Sequence, residues 1–254
     1  MADIKRDIAS SYEAAAPEFT RYADEHVYRY LAQPLADSLR SVSGVVLDVA
    51  SGPGALARRL PNSVALDISR GVLALNDAPD KVQADAEHLP FPNDSFAASA
   101  SAFGINHFPS PERAVQEMAR VSLFVALITW KRPETPYPPA DAVFGVIERH
   151  CGQARSRTGE AVERMTTDVG SEPALEALLF AAGLDPTVAT ITASVPWPGA
   201  EGFVDYRLSM LGSLSAEADL PRLRNDAVAA VKALAPEALT WEPRLVLGLG
   251  RRPT

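Results

Sequence analysis

The chain has 254 residues and 47% apolar content, enough for one α/β domain with a sizeable core. Its 24 basic and 32 acidic residues leave a net charge of −8, with no basic run long enough to track a phosphate backbone, which argues against a nucleic-acid substrate. The single cysteine, Cys151, excludes an intramolecular disulfide and a cysteine-rich zinc site.

The opening MADIKRDIASSYEAAAPEF lacks the apolar centre of a signal peptide, and the longest apolar run, Leu123 to Trp130, is too short to cross a bilayer. A cytoplasmic protein without membrane contact is the expectation. From Ile8 to Leu39 the pattern is helical, anchored by Tyr12, Phe19, Tyr22, Val27, Tyr30 and Leu31 and interrupted at Pro17 and Pro34.

Val45 to Leu47 predicts a strand buried on both faces, ending in Asp48. Ala50, Gly52 and Gly54 then make a nearly bare turn ahead of a helix at Leu56–Leu60, where a nucleotide-like ligand could approach the backbone beside a partly positive helix N-terminus. A second run, Val64 to Leu66, ends in Asp67, and after a short helix at Gly71–Asn76 a third, Lys81 to Ala84, ends in Asp85. Three carboxylates thus gather along the sheet edge where open α/β folds bind ligands.

Phe96 to Phe103 is the fourth strand by position, despite its Ala and Ser content. Ser110-Pro111-Glu112 opens a helix with a capping hydroxyl, and Leu123 to Trp130 is the fifth strand. Lys131 to Pro139 is too proline-rich for regular structure; a helix follows over Ala140–His150, then a polar connection over Gly152–Thr167. Glu172–Ala182 is a helix closed by Gly183. Val188–Val195 is a strand, Glu201–Leu214 and Ala216–Leu234 are helices, and Pro243–Gly250 is the last strand.

The segments LDVASGPG, ALDIS and ADAEHLPFPNDSFAASASAFGINHFPSPERAVQEMARV resemble, in order and spacing, the class I S-adenosylmethionine-dependent methyltransferases, most closely the ubiquinone/menaquinone-biosynthesis-type group that acts on small molecules. The resemblance runs from about Tyr12 to the C-terminus and is tightest between Val45 and Val121. It implies a doubly wound, seven-stranded Rossmann-like sheet, mostly parallel with the last strand antiparallel beside the fifth. Residues 1–254 would form one domain, a monomer or homodimer, with 1–42 as a helical lid and 131–171 and 198–238 as substrate-side insertions.

Carried over residue by residue, Asp48 would lie near the methionine ammonium of S-adenosylmethionine, with Ala50 and Gly52 admitting the methionyl part. Asp67 would hold the ribose hydroxyls, Asp85 would accept from the adenine amino group, the Ala86 N–H would donate to a ring nitrogen, and Phe103 would supply a main-chain contact to the methionine amine. Ammonium and sulfonium charges suit carboxylates better than a lysine-bearing phosphate loop. Tyr12 and Tyr22 are candidate lid residues, or else aromatics that dock the helices on the sheet. The chain departs from the family at Ala50, where glycine is usual, at Ala97, where Asp commonly stands, and in lacking the basic Pro-Gly-Gly loop before the fifth strand. Altered local packing is expected there, away from the ligand edge.

Each of these aspartates would also serve as a turn cap. The spacing Gly52-x-Gly54-x-x-Ala57 satisfies a dinucleotide fingerprint, but Asp67 follows sooner than the roughly twenty residues that fingerprint requires, and Asp48 would crowd a pyrophosphate. A nicotinamide or flavin cofactor is disfavoured.

Methyl transfer from a sulfonium is an in-line displacement that chiefly needs alignment and exclusion of water. His107, after the fourth strand, is the candidate general base for a hydroxyl acceptor, against the alternative of a structural histidine. Phe103, Ile105, Phe108, Trp130 and Tyr137 would line an apolar, aromatic acceptor cavity, unless they are plain core. His88, next to the Asp85-Ala86 segment, reads as a packing or surface residue, and His26 and His150 lack carboxylate or histidine partners at metal-ligand spacing, so no metal is expected. Two other classes stay open: a related enzyme performing a non-methylating reaction such as cyclisation, and a catalytically silent protein that binds the cofactor. Formation of S-adenosylhomocysteine separates methylation from both.

Overall fold

The computed structural model describes residues 2–134, 136–152, 157–197, 199–210 and 219–253. Seven strands form one sheet: β1 (Val46–Val49), β2 (Ser63–Asp67), β3 (Asp80–Gln83), β4 (Ala98–Ala102), β5 (Phe124–Trp130), β6 (Asp185–Thr192) and β7 (Arg244–Arg251), in the order β3-β2-β1-β4-β5-β7-β6. The first five pair in parallel, and β7 runs antiparallel between β5 and β6. The expected fold class is therefore present. The strand order reverses between the parallel neighbours β1 and β4, and the ligand edge opens at such a point in α/β sheets.

Alternation along β5 shows how the sheet is covered. Phe124, Ala126 and Ile128 join a core with the N-terminal helices and the later helices α6 (Pro138–Cys151), α9 (Ala200–Ser209) and α10 (Leu220–Lys232). Val125 and Leu127 point to the other face, against α5 (Pro111–Val121) and α8 (Glu172–Ala181). Each fully buried aliphatic side chain contributes about 1.5–3 kcal/mol by its removal from water. β4, sequence ASASA, is a strand because tertiary packing overrides propensity: its first four residues are all buried between β1 and β5.

The N-terminal region is one nearly continuous helical path. The helix α1 (Ala2–Glu18) carries Pro17 in its last turn, and just beyond it the chain widens into a π-helical stretch, Phe19–Tyr28, before α2 (Arg29–Leu31) and α3 (Gln33–Ser38). A proline removes an amide donor, and a π-helical stretch is one way to absorb that loss. Pro34 marks the break between α2 and α3: it sits in the first turn of α3, where its missing donor costs nothing.

Several local expectations are corrected. The glycine turn leads not into a helix over Leu56–Leu60 but into further turns and one 3-10 turn, Ala57–Arg59, so the turn after β1 does not open onto a helix N-terminus. The next helix is α4 (Arg70–Ala74), capped by Ser69. Ser110 does not cap α5 through its hydroxyl; its N–H donates to Glu87 Oε1 at 3.0 Å. Asp85 stands two residues past the end of β3. β6 starts three residues earlier than expected, at Asp185, and ends at Thr192, with Val195 forming only an isolated bridge to Trp241.

The polar connection expected over Gly152–Thr167 contains a helix, α7 (Arg157–Val169), which buries Ala161, Thr166 and Val169. Of the helices expected over 201–214 and 216–234, the parts at 211–218 lie outside the described residues. Where the family's loop before the fifth strand is missing, Ser122 closes the junction: its hydroxyl donates to Met118 O and meets Ser99 Oγ at 2.9 Å.

Candidate functional site

The carboxyl ends of β1, β2 and β4 open onto a cavity lined by each expected cofactor residue and by the candidate base: Asp48, Ala50, Gly52, Asp67, Asp85, Ala86, Phe103 and His107. Past β1 the backbone turns through left-handed conformations at Ala50 (φ 55°) and Gly52 (φ 53°). Gly52 meets that demand without strain, and nothing lies within 4 Å of where a Cβ would point, so the backbone is open to the cavity. Ala50 adopts the same conformation with a methyl group, which explains why glycine is usual there.

The three aspartates are held differently. Asp67 accepts from the Gly52 N–H through Oδ2 and the Ser69 N–H through Oδ1, both at 2.9 Å, so it knits the turn to β2 while each oxygen keeps a second lone pair. Asp85 accepts the Glu87 N–H through Oδ1 at 3.0 Å. The neighbouring Ala86 N–H has no partner among the described residues. The capping reading is thus correct for Asp67 and Asp85 without excluding a ligand.

Asp48 has no such partners. It is 1% exposed, and neither carboxylate oxygen has a hydrogen bond; the Ala57 N–H faces it without reaching bonding geometry. Burial pushes its pKa well above the ordinary carboxylate value, with Asp67 and Asp24 adding repulsion. An orphaned buried carboxylate is costly, and a cationic donor is what would relieve it.

The N-terminal helices form the roof. The Lys5 ammonium lies 2.8 Å from Asp85 and 2.6 Å from the buried Glu87, and Glu13 accepts from Ser69 Oγ and the Gly71 N–H, both at 2.7 Å. Tyr12 Oη meets His107 Nε2 at 2.9 Å, while His107 Nδ1 lies 3.0 Å from the Phe103 carbonyl oxygen. That carbonyl, expected to serve the methionine amine, already accepts from histidine and has one lone pair left. Desolvation lowers the His107 pKa to about 4 and raises that of Tyr12. From the π-helical stretch, Asp24 pairs with Arg58, whose guanidinium also donates to the Pro53 carbonyl at 2.9 Å.

A second cavity of 880 Å³ adjoins the first, within the range of ligand pockets. Ile8, Tyr12, Phe19, Tyr28 and His107 belong to the walls of both. Its far wall is aromatic: Trp241 stacks on Trp130 at 5.8 Å and on Tyr137 at 5.9 Å, and Tyr137 packs edge-on to Phe203 at 5.4 Å. Trp130 and Tyr137 thus border this second cavity, whereas Phe103 and Phe108 line the first. Ile105 lines neither; it is fully buried in the core under α5. Tyr22 also lines neither, and Arg21 lies over its ring.

Sequence reading missed Lys5, Asp24, Arg58 and Trp241. The first three act through contacts far along the chain, which leave no local pattern in the sequence. Among the described residues no group of three or more His, Cys, Asp or Glu side chains could hold a metal. No described helix is long and apolar enough to cross a membrane.

Residues 47–122 match the family model described as "Methyltransferase domain". The chain is 40% identical over 93 residues to a ubiquinone/menaquinone biosynthesis C-methyltransferase of Bartonella henselae, a match covering 30% of this chain and 36% of that protein. It is 28% identical over 158 residues to a demethylmenaquinone methyltransferase of Thermobifida fusca, covering 55% and 67%. The chain therefore spans little more than a third of the length of the first of these relatives. A methyltransferase structure from an antibiotic biosynthesis pathway of Anabaena variabilis superposes with a TM-score of 0.61 at 16% identity, over 87% of this chain and 98% of that one, a likeness of fold.

Proposed function

We propose that this chain is a class I S-adenosylmethionine-dependent methyltransferase of the ubiquinone/menaquinone-biosynthesis type, a reading supported by its similarity to that group over residues 47–122, and that it transfers a methyl group from S-adenosylmethionine to a small, flat, largely apolar acceptor. The observation that carries this reading is Asp48: a buried carboxylate with no hydrogen bond, lining a cavity beside an open glycine turn. The donor set fits the cofactor. Asp48 would hold its ammonium, Asp67 its ribose hydroxyls, and Asp85 with the Ala86 N–H, which has no partner among the described residues, its adenine edge, while Gly52 would let the methionyl part approach the backbone. Bound there, the cofactor supplies an electrophilic methyl group on a positively charged sulfur.

The second cavity is the acceptor's place. Trp130, Tyr137 and Trp241 offer ring faces to a planar molecule and exclude water from the reacting atoms. Tyr12 and His107 stand on the partition between the two cavities, where a methyl group would cross. The Phe103 carbonyl can only accept, so His107 carries its proton on Nδ1 and presents the lone pair of Nε2 to the Tyr12 hydroxyl. An acceptor hydroxyl would give its proton to Tyr12 Oη as Tyr12 passes its own to His107 Nε2. His107 is then the base and Tyr12 the group that touches the acceptor.

The test is titration with S-adenosylmethionine, then an acceptor screen read by mass shift and by S-adenosylhomocysteine formation. Binding and a gain of one methyl on a planar acceptor is the expected result. Binding without S-adenosylhomocysteine across a broad panel would turn the reading to non-methylating chemistry or to a silent binding protein.

A further inference from the structure

Asp24 is a buried carboxylate in the cofactor cavity that the foregoing assignment leaves unused. It is 1% exposed and sits on the inner side of the Phe19–Tyr28 π-helical stretch, in the wall that also holds Asp48, Ser51, Gly52, Pro53 and Tyr28. Arg58 fixes it through Oδ2 and, by donating to the Pro53 carbonyl, locks it against the glycine turn. Oδ1 has no hydrogen bond among the described residues.

Charge bookkeeping at this end of the cavity is unbalanced. Asp24 and Asp48 set two carboxyl groups in a desolvated space; Arg58 pairs with Asp24, Arg59 adds its charge there, and no cation pairs with Asp48 among the described residues. A structural pair of Asp24 with Arg58 would close on itself, but it leaves Asp48 unpartnered beside a second like charge. Buried charges persist when something compensates them. The ligand this geometry suits presents an ammonium between the two carboxylates, one rigidly held by arginine and one free of protein donors.

We propose that Asp24 is a second carboxylate for the methionyl α-ammonium of the cofactor, so that the ammonium is held from below by Asp48 and from the N-terminal segment by Asp24. This rests on the cofactor reading above. Its consequence is that the N-terminal segment helps to select the donor, beyond covering it. Burial raises the pKa of both carboxyls, in keeping with a pair that awaits a cation.

The experiment compares two probes by calorimetry: S-adenosylhomocysteine, and its analogue with hydrogen in place of the α-amino group. Asp24→Asn keeps the shape and removes the charge. It is expected to weaken S-adenosylhomocysteine tenfold or more while changing the deaminated analogue less than twofold, as Asp48→Asn should. Equal losses for both probes would make Asp24 a purely structural residue, and no loss for either would remove it from the site; each overturns the proposal. Should Asp24→Asn not fold, Asp24→Glu, which keeps the charge, is judged by the same pair of probes. If the wild-type protein binds neither probe, the cofactor reading itself falls; if it binds both but Asp24→Asn does not tell them apart, only the Asp24 assignment falls.

Discussion

The Lys5 ammonium lies 2.8 Å from Asp85 Oδ2, on the carboxylate assigned to the adenine amino group, and also 2.6 Å from Glu87 Oε2. A nucleoside bound as proposed would compete with the N-terminal helix for one acceptor. The free volume beneath α1 is 120 Å³, below the ~300 Å³ at which ligand pockets begin, so the roof must shift before a nucleoside fits. Lys5→Met keeps the aliphatic stem and removes the charge. It is expected to speed S-adenosylhomocysteine association in stopped-flow measurements by about tenfold, to abolish a plateau in observed rate with ligand concentration, and to reduce the salt dependence of that rate. Unchanged kinetics would mean that Lys5 does not govern access.

The Tyr12–His107 contact makes a kinetic prediction of its own. If the two form one proton path, Tyr12→Phe and His107→Gln should each lower kcat by about a hundredfold, and the double variant should lose no more than the worse single one. S-adenosylhomocysteine affinity should stay within about threefold. Additive losses in rate would separate the two residues and leave Tyr12 a wall of the cavity.

His107 also sets a pH dependence of stability. Its folded pKa is about 4, below the free value of 6.5, so the folded state binds fewer protons than the unfolded chain between those limits. Stability therefore rises with pH across that window, and is lost as pH falls from 6.5 to 4. The loss is at most about 3 kcal/mol, because the ring borders an open cavity. Urea unfolding of wild type and His107→Gln at pH 7, 5.5 and 4.5 should show the steeper decline in the wild type, since the carboxylates are common to both. For the same reason kcat/KM should show no inflection near 6.5.

What could be seen in the sequence follows the range of the forces involved. β1, β2, β4 and β5 are short apolar or small-residue runs whose burial repeats within a few residues, and the aspartates stand in fixed register to them. Asp48, Asp67 and Asp85 could therefore be placed on one edge before any contact was known. Lys5 to Asp85 and Asp24 to Arg58 join residues distant along the chain, with no local pattern to mark them. The helix α7 was legible but not read: its apolar and polar positions separate well onto two faces, yet the segment's overall polarity passed for a connection. The helix expected after Gly54 failed because Pro61 leaves it too short to propagate.

Asp48 predicts a trade between stability and binding. Its carboxylate is buried without a hydrogen bond, so the folded protein at neutral pH bears a desolvation cost that an amide would lessen. Asp48→Asn is expected to raise unfolding free energy by about 1–3 kcal/mol without ligand, and to weaken S-adenosylmethionine by about a hundredfold or more. The sign follows from the raised pKa: the penalty is present above it and fades as acid protonates the group. A variant that is less stable and binds normally would give Asp48 a structural role.

Gly104 tests the packing that brings the turn after β4 against the turn after β1. Its φ is −79°, so the backbone would accept any residue, and glycine is required by space alone. A Cβ there would lie 2.6 Å from the Ala50 Cβ and would also strike Ser101 Oγ. Gly104→Ala must therefore push apart two turns that carry Ala50, Phe103 and His107, at a cost of about 1–3 kcal/mol by overpacking. The melting temperature should fall by about 2–4 °C for each kcal/mol at this chain length. Ala50→Gly removes one of the two clashing groups and relieves a positive φ, so combining it with Gly104→Ala should recover part of the loss. A double variant no more stable than Gly104→Ala alone would mean that Ser101, and not the approach of the two turns, sets the requirement for glycine.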